Sequence, residues 1–384
     1  MPAKRYLVTP GPTPVPPEVL AATAAPMIHH RAPDFRATLE RVVDRLGQVF
    51  RTENDIVLLT SAGTGAMESV FQNVCSAGDR VLVVSHGFFG ERFAAMAETY
   101  GCDLVHLRYA WGESPNADEV GEKLEEAGGV KVVFLTHSDT STGVVSDVRS
   151  IAERLSGSGA LIVVDAISSL AAVPLETDAW GLDVVITSSH KALMSPPGLA
   201  FIAVSEAAFE ASRSAGLPRY YFDWERARAA QEKGENPFSP AISLFLGVDV
   251  ALGMILEEGL EAAFERHVRL GRACRAGVKA MGLELFSPDE DRSAVVTAIR
   301  MPEGIDGGSV VLSMRERSGV TIIGGQGELR GKIVRIGHIG YINVFDVTTA
   351  LSALELALAE VGAEIERSTA VTAALEAYAE PVSV

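Results

Sequence analysis

The sequence predicts an α/β protein with a largely parallel sheet and a second, smaller domain. Seven short apolar segments of strand type lie between residues 55 and 204, and polar, helix-favouring segments separate most of them. Because the strand segments are continuously apolar rather than alternating, the sheet is expected to be covered on both faces. Beyond about residue 240, long helical stretches precede a few strands, which indicates a different arrangement near the C-terminus.

The chain begins with a segment that is rich in proline and glycine. Residues 1–17 contain TPGPTPVPP, which excludes a helix or a central strand, so we predict an extended arm over a surface. A helix follows, because apolar residues from Phe35 to Phe50 recur at helical spacing. No helix fits between the sixth and seventh strand segments, so one of these two is expected to run antiparallel. The seven segments are DIVLLT, RVLVVS, DLVHL, KVVFLTH, ALIVVDA, DVVITSS and LAFIAV.

The C-terminal part combines long helices with short strands. Two helical stretches come first, AISLFLGVDVALGMILEEG and LEAAFERHVRLGRACRAGVKAMG, and the strand segments VVTAIR, VTII and KIVRIG follow. The closing helix places Leu351, Leu354, Leu358 and Val361 on one face. We therefore predict a large domain over residues 18–255 and a smaller α+β domain over residues 256–384.

Composition narrows the class of protein. The formal net charge of −17 and the absence of a dense Lys/Arg cluster argue against a nucleic-acid partner. The three cysteines are widely spaced and form no CxxC motif, so no disulfide framework or metal site is expected. The N-terminus lacks the apolar core of a signal peptide, and no apolar stretch approaches membrane-spanning length. We expect a cytoplasmic protein with no membrane partner.

The residues that follow the predicted strands are candidates for a site, because ligands bind at the carboxyl ends of parallel strands. SAGTGAME follows the first strand and opens a helix, whose N–H groups could bind a phosphate with help from Thr64; a plain strand-to-helix turn is the alternative. HGFFGER follows the second strand and offers aromatic rings for stacking on a flat ligand or for core packing. The hydroxyl-rich SDTSTG follows the fourth strand and is also typical of a turn.

Two charged residues complete this edge of the sheet. Asp165 ends an apolar strand, where a carboxylate is costly unless a positive group meets it; a capping role is the alternative. Lys191 follows another apolar strand and is either paired, extended to solvent, or kept neutral as a nucleophile. Together, an anion cradle, a stacking ring, a carboxylate and an amine form the complement that pyridoxal phosphate requires.

Several motifs resemble one family over nearly the whole chain. LIVVDAISSLAAVPLETDAWGLDVVITSSHKALMSPPGLAFIAVS resembles the cofactor segment of class V aminotransferases, which have PLP fold type I. Within that class, the sequence resembles the alanine/serine–glyoxylate and serine–pyruvate aminotransferases. The other matching motifs, in chain order, are TPGPTPVPP, TSAGTGAME, SHGFFGER, LTHSDTSTGV and GGQGELRGKIVRIGHIGY.

The resemblance implies a role for each matching residue. Lys191 would hold the cofactor as a Schiff base and move the substrate proton, and Asp165 would pair with the pyridine nitrogen. Arg335 would bind the substrate carboxylate, and Gly11 of the arm would border the substrate. The remaining cofactor contacts would be the phosphate-binding Ala62, Gly63, Thr64 and His190, the ring-stacking Phe89, Thr140 near the ring hydroxyl, and Ile167 on the opposite ring face.

The resemblance also implies a homodimer with active sites at its interface. In the family, a segment of the neighbouring subunit completes the phosphate site, and ENPFSPAISL matches that segment here. Asn236 stands where some relatives carry tyrosine, whereas Ser239 keeps a hydroxyl.

We therefore predict an aminotransferase that works in two half-reactions. It would move an amino group from a small L-amino acid, with alanine or serine favoured, to a 2-oxo acid such as glyoxylate or pyruvate. A broad aspartate or phosphoserine aminotransferase is the alternative. A cysteine desulfurase would need a thiol on a mobile loop, and GGQGELRG has none. A non-catalytic role, as in relatives labelled soluble hydrogenase subunits, conflicts with the intact set of Lys191, Asp165 and Arg335.

Overall fold

The computed structural model describes residues 4–287 and 293–382. The N-terminal two thirds contain ten strands and eight helices before the long α9. They are β1 (Tyr6–Leu7), α1 (Pro17–Thr23), α2 (Pro33–Phe50), β2 (Asp55–Leu59), α3 (Gly63–Val74), β3 (Arg80–Ser85), α4 (Phe88–Thr99), β4 (Asp103–Arg108), α5 (Ala117–Ala127), β5 (Val132–Thr136), β6 (Ser138–Asp139), β7 (Val144–Val145), α6 (Val148–Leu155), β8 (Leu161–Asp165), β9 (Val184–Ser188), β10 (Ala200–Val204), α7 (Glu206–Ser214) and α8 (Trp224–Gln231).

The rest of the described chain is richer in helix. Its elements are α9 (Ile242–Glu258), α10 (Leu260–Ala280), β11 (Val296–Arg300), α11 (Gly307–Ser318), β12 (Val320–Thr321), β13 (Ile323–Gly324), a short 3₁₀ helix (Gly327–Leu329), β14 (Ile333–Gly337), α12 (Val344–Glu360) and α13 (Ala370–Ala379). No helix among residues 4–287 and 293–382 has the length and apolarity needed to cross a membrane.

The central sheet has seven strands in the order β2-β10-β9-β8-β5-β3-β4. These are the seven predicted strands, and all neighbouring pairs are parallel except those that involve β10. The prediction of one antiparallel strand is therefore confirmed, and its cause is local. The turn between β9 and β10 is too short to hold a crossover helix, so the chain must reverse direction.

Helices cover both faces of this sheet. Alternate strand residues point to opposite faces: Leu82 and Val84 join a core with α2, α5, α6 and α9, whereas Val81 and Val83 join a core with α3, α4, α7 and α8. This double covering explains why the strands are continuously apolar. The polar residues at the carboxyl ends of the strands are therefore the part of the sheet open to chemistry.

A separate core forms around the antiparallel sheet β11-β14-β13 and the helices α10 to α13. The N-terminal arm takes part in it, because β1 pairs in parallel with β12 and Val8 is buried there. Residues 8–16 are neither helix nor strand, as predicted, but several of them are buried rather than lying over a surface. Gly337 donates a backbone hydrogen bond to the Val8 carbonyl at 2.9 Å, and this pairing buries the arm before it reaches the central sheet.

Candidate active site

The N-terminus of α3 and the ends of β8 and β9 meet at one place. A Cβ atom on Gly63 would lie 2.5 Å from Cδ1 of Ile167 and 3.3 Å from Cβ of Ser188. Gly63 is the first residue of α3, Ile167 follows β8, and Ser188 is the last residue of β9. Because only a residue without a side chain allows this approach, Gly63 joins the predicted phosphate cradle to the strand that leads to Lys191.

Lys191 lies in the turn after β9, and only 8% of its surface is exposed. Its Nζ donates a hydrogen bond of 2.8 Å to the carbonyl of Pro10, and its own carbonyl accepts one of 3.0 Å from Thr13 Oγ1. Gly11 has a positive φ of 147°, and a side chain there would collide with the Lys191 amine. The arm therefore passes directly over the amine and fixes its position.

The amine of Lys191 loses its proton at a lower pH than an ordinary lysine. Its pKa is lowered from the usual 10.5 to about 8, chiefly because burial penalises the charged form. The positive charges of Arg335 and Arg92 also lower this pKa, whereas the carboxylates of Asp165 and Asp139 raise it. A deprotonated amine can attack an aldehyde or accept a proton from carbon.

Asp165 is a buried carboxyl at the end of β8. Its Oδ1 accepts a hydrogen bond of 2.8 Å from the Ile167 amide. Burial raises its pKa to about 6, and the Ile167 amide and the charge of Lys191 act in the opposite direction. Such a group is stabilised in its charged form by a cation placed against it.

A second buried carboxylate, Asp139, was not identified from the sequence. Its Oδ2 accepts hydrogen bonds from the Phe89 amide at 2.9 Å and the Gly90 amide at 3.3 Å, so it caps the start of α4. Its Oδ1 accepts from the amide and hydroxyl of Ser141. One sequence signal was available: Gly87, the residue before α4, has no side chain with which to cap the helix, and a Cβ there would lie 2.5 Å from Asp139.

Helix α3 begins without a side-chain cap. The amides of Gly65 and Ala66 bond to the carbonyl of Ala62, whereas those of Gly63 and Thr64 have no acceptor among the described residues. Ala62 and Thr64 are exposed. Free amides at a helix N-terminus favour an anion, as the sequence predicted for this turn.

Phe89 and His190 flank this turn. Phe89 is half-buried in the first turn of α4, and the guanidinium of Arg92 lies 5.0 Å from its ring centroid. His190 Nδ1 lies 2.6 Å from Ser188 Oγ, and burial lowers the pKa of this imidazole to about 4, so it is neutral at pH 7. A neutral imidazole can bind a phosphate oxygen only as a hydrogen-bond donor, through one ring nitrogen.

Arg335 is almost fully buried in β14, rather than flanking a strand at the surface. Its Nε and Nη2 donate to the Gly324 carbonyl at 3.0 and 2.7 Å, and Nη1 donates to the Thr140 carbonyl at 2.7 Å. These contacts use three of the five guanidinium N–H groups. No carboxylate of the described chain forms an ion pair with Arg335, and burial lowers its pKa to about 10. An incoming carboxylate would accept hydrogen bonds from the two unused N–H groups and would balance the positive charge of Arg335.

Asn236 and Ser239 form no hydrogen bond with Lys191 or with the α3 turn among the described residues. Asn236 lines a shallow cavity with Thr60 and Tyr221, and its buried Oδ1 has no hydrogen-bond partner in the described structure. Ser239 is exposed at the rim of the same cavity.

The lowered pKa of Lys191 predicts how this amine responds to pH. Labelling of the cofactor-free protein with formaldehyde and a mild reductant should reach a plateau at Lys191 above about pH 8, as judged by peptide mass spectrometry. A free lysine peptide should continue to gain reactivity up to its pKa of about 10.4. In Arg335→Gln the plateau should move to slightly higher pH, because one of the positive charges that add to the effect of burial is removed. Reactivity of Lys191 that follows the free peptide would contradict this account.

The network of Asp139 predicts a loss of stability when this residue is replaced. Asp139→Ala should lower the free energy of unfolding in urea by about 2–4 kcal/mol, because four buried donor bonds lose their charged acceptor. Asp147→Ala is the matched control, since Asp147 caps α6 at an exposed position and its loss should cost about 1 kcal/mol. Equal losses in the two variants would contradict a special role for Asp139.

The residues brought together fit pyridoxal phosphate. The unbonded amides of α3 suit its phosphate, the buried carboxyl of Asp165 suits its ring nitrogen, and the amine of Lys191 suits its aldehyde. Gly63 and Gly11 keep the space beside Ile167 and Lys191 free of side chains.

The chain is similar to known proteins over nearly its whole length. The sequence is 41% identical to the small subunit of the soluble hydrogenase of Synechococcus over 94% of both chains. It is 35% identical to the L-aspartate–glyoxylate aminotransferase of Paracoccus denitrificans over 98% of this chain and 97% of that protein. It is 33% identical to the serine–glyoxylate aminotransferase of Methylorubrum extorquens, with coverages of 97% and 96%.

Solved structures of aminotransferases are also similar to this chain over nearly its whole length. The ureidoglycine–glyoxylate aminotransferase of Bacillus subtilis superposes with a TM-score of 0.94 at 31% identity, over 99% of both chains. The pyridoxamine–pyruvate aminotransferase of Mesorhizobium loti superposes with a TM-score of 0.92 at 31% identity, over 98% of this chain and 97% of the other. The profile of the family described as aminotransferase class-V matches residues 5–333. The chain belongs to the class V aminotransferases, and it is a pyridoxal-phosphate-dependent transaminase of fold type I.

Proposed function

We propose that this enzyme moves an amino group from a small L-amino acid, with alanine or serine favoured, to glyoxylate or pyruvate. The names of similar aminotransferases support the acceptor: they include serine–glyoxylate, L-aspartate–glyoxylate and pyridoxamine–pyruvate enzymes. All of these substrates except pyridoxamine carry a carboxylate beside the carbon that gains or loses the amino group.

The observation that carries this proposal is the buried guanidinium of Arg335. It has no carboxylate partner within the described residues, and two of its N–H groups remain unused by Gly324 and Thr140. The charge of Arg335 also lowers the pKa of the Lys191 amine, which supports a site shared by the two groups. A substrate carboxylate bound by Arg335 would hold the reacting carbon near that amine.

The other residues take the following roles in the proposal. Bound pyridoxal phosphate supplies an electron sink for the electron pair left when the substrate Cα loses its proton. Lys191 Nζ would hold the cofactor through its aldehyde until the substrate amine displaces it, and the freed amine would then carry the Cα proton to the former aldehyde carbon. Asp165 would keep the ring nitrogen protonated, because a buried carboxylate and a cation beside it stabilise each other. Phe89 and Ile167 would hold the ring between them, and Thr140 would contribute beside the ring hydroxyl.

The phosphate contacts come from three parts of the chain in this proposal. The N-terminus of α3 at Ala62, Gly63 and Thr64 binds the phosphate, and His190 donates one hydrogen bond to it. Gly11 borders the substrate rather than the phosphate. Asn236 and Ser239 complete the site from a second subunit, where the unpartnered Oδ1 of Asn236 is available for a hydrogen bond. Size-exclusion chromatography with light scattering tests the homodimer: a protein that stays monomeric with bound cofactor would contradict it.

Aspartate is a second candidate donor. The relative that uses L-aspartate is 35% identical, slightly more than the 33% of the serine–glyoxylate enzyme. The phosphoserine alternative has less support, since the solved phosphoserine aminotransferase is 20% identical and shows only the shared fold.

The placement of the cysteines argues against a desulfurase. Cys75 follows the C-terminal end of α3, opposite to the phosphate cradle, and Cys274 is buried in α10, where burial raises its pKa to about 11. Cys102 precedes β4 at the amino edge of the sheet. A nucleophilic thiol would need to reach the carboxyl edge as a thiolate.

The similarity to soluble hydrogenase subunits does not replace the transaminase activity. A chain that only bound a hydrogenase would have no need for a buried amine whose pKa is lowered to about 8.

We also propose the domain division 18–255 and 256–384, which the two sheets support, and a cytoplasmic location, which the free cysteines support.

A half-reaction screen identifies the donor. The purified enzyme, saturated with its cofactor, is mixed with one amino acid at a time, and the cofactor absorbance is followed. Alanine or serine should change the spectrum faster than aspartate at equal concentration. A faster change with aspartate would favour the second candidate, and no change with any amino acid would contradict the proposed function.

A further inference from the structure

We propose that Arg92 is a positioning residue for the cofactor phosphate: it places positive charge beside the α3 cradle and orients the hydroxyl of Thr64. Arg92 ends the HGFFGER motif, but the sequence assigned it no role; it lies on α4, in the turn after Phe89. Its Nη1 donates a hydrogen bond of 2.9 Å to Thr64 Oγ1, which joins α4 to the second residue of α3.

The direction of this hydrogen bond determines what Thr64 can do. A guanidinium only donates, so Thr64 Oγ1 is the acceptor and its own O–H remains available as a donor. Since a bond from a charged group polarises the hydroxyl, Thr64 becomes a better donor toward an anion. The unbonded amides of Gly63 and Thr64 lie at the same helix end, so three donors converge where the phosphate is expected.

The charge of Arg92 is not neutralised by a neighbouring carboxylate in the described chain. Glu91, the adjacent residue, pairs instead with Arg108 and accepts from Ser85 Oγ. The guanidinium of Arg92 lies over the rings of Phe89 and Phe88, 5.0 and 5.7 Å from their centroids, which holds it without cancelling its charge. A phosphate carries up to two negative charges and would supply the missing counterion.

The same charge acts on the reactive groups of the site. Burial is the main cause of the pKa shifts of both Lys191 and Asp165. The charge of Arg92 adds to the lowering of the Lys191 pKa and opposes the raising of the Asp165 pKa. The charge of Arg92 therefore acts weakly on the amine and the carboxylate, whereas its direct contact is with Thr64 at the exposed side of the cradle.

Comparison of two aldehydes tests the proposal without using catalysis. Pyridoxal phosphate and pyridoxal differ only in the phosphate, and both can be titrated into cofactor-free protein by absorbance. In Arg92→Gln, the half-saturating concentration of pyridoxal phosphate should rise at least about tenfold, the effect of losing one charge-assisted interaction. That of pyridoxal should stay at the wild-type value. Arg92→Lys should retain part of the preference for the phosphorylated aldehyde, because it keeps the charge.

The matched control is Arg108→Gln, which removes an exposed arginine paired with Glu91 and should leave both titrations unchanged. Equal weakening of both aldehydes in Arg92→Gln would overturn the proposal, since Arg92 would then act only by supporting Phe89. Unchanged affinity for both would also overturn it. The titrations use no amino donor, so failure of the proposed substrate assignment would leave their outcome unaffected.

Discussion

Replacing Lys191 by alanine should lower kcat by at least about 10²–10⁴-fold, the usual contribution of a positioned acid–base group. The variant loses the amine that attacks the cofactor aldehyde and the group that moves the Cα proton. Borohydride reduction followed by mass spectrometry should find cofactor attached to Lys191 in the wild type and to no residue in the variant.

Lys123→Ala is the matched control for this experiment. Lys123 lies on α5 and pairs with Glu126 at an exposed position, so its replacement should leave both kcat and cofactor attachment unchanged. A Lys191→Ala variant that transaminates at the wild-type rate would show that the catalytic amine has been assigned to the wrong residue.

Arg335→Gln should reduce kcat/KM for every amino acid and oxo acid by about 10²–10⁴-fold, because two hydrogen bonds between charged partners are worth about 3–6 kcal/mol together. Affinity for pyridoxal phosphate should change little, since the guanidinium is expected to contact the substrate rather than the cofactor. This contrast separates the loss of substrate binding from general damage to the fold.

Arg335→Lys sharpens the same experiment. It keeps the positive charge but cannot hold the Gly324 and Thr140 carbonyls and a carboxylate at the same time, so its kcat/KM should lie between those of the wild type and Arg335→Gln. If substrate specificity constants were unchanged while cofactor affinity fell, Arg335 would belong to the cofactor site instead.

The central sheet was predictable because its determinants are local in sequence. Each strand is a short, continuously apolar segment, because helices cover both faces of the sheet. An amphipathic strand, with one face in solvent, would instead alternate apolar and polar residues. The missing helix between β9 and β10 predicted the antiparallel strand directly. Lys191 and Asp165 could be selected because a charged residue that ends such a strand requires an explanation.

The arm and the second buried carboxylate were not predictable by the same reasoning. The burial of Val8 depends on pairing between β1 and β12, which are separated by more than three hundred positions and have two residues each. Asp139 lies among hydroxyl residues that are typical of a turn, and its burial depends on where α4 begins in space. Non-local contacts of this kind leave no periodic pattern in the sequence.

Arg92 illustrates the same limit for the site. Its spacing after Phe89 indicates a helix surface position, and only the packing of α4 against α3 brings its guanidinium to Thr64. Conversely, Arg335 was selected from a motif, but its three carbonyl contacts and its lack of a carboxylate partner in the described chain became apparent only in three dimensions.

Transfer of a labelled amino group tests the central claim most directly. The purified enzyme with bound pyridoxal phosphate is incubated with ¹⁵N-labelled alanine or serine and unlabelled glyoxylate, and the products are analysed by mass spectrometry. The account predicts ¹⁵N-labelled glycine together with the 2-oxo acid of the donor, and none of either with Lys191→Ala. Absence of labelled glycine with alanine, serine and aspartate, in a preparation shown to hold the cofactor on Lys191, would contradict it.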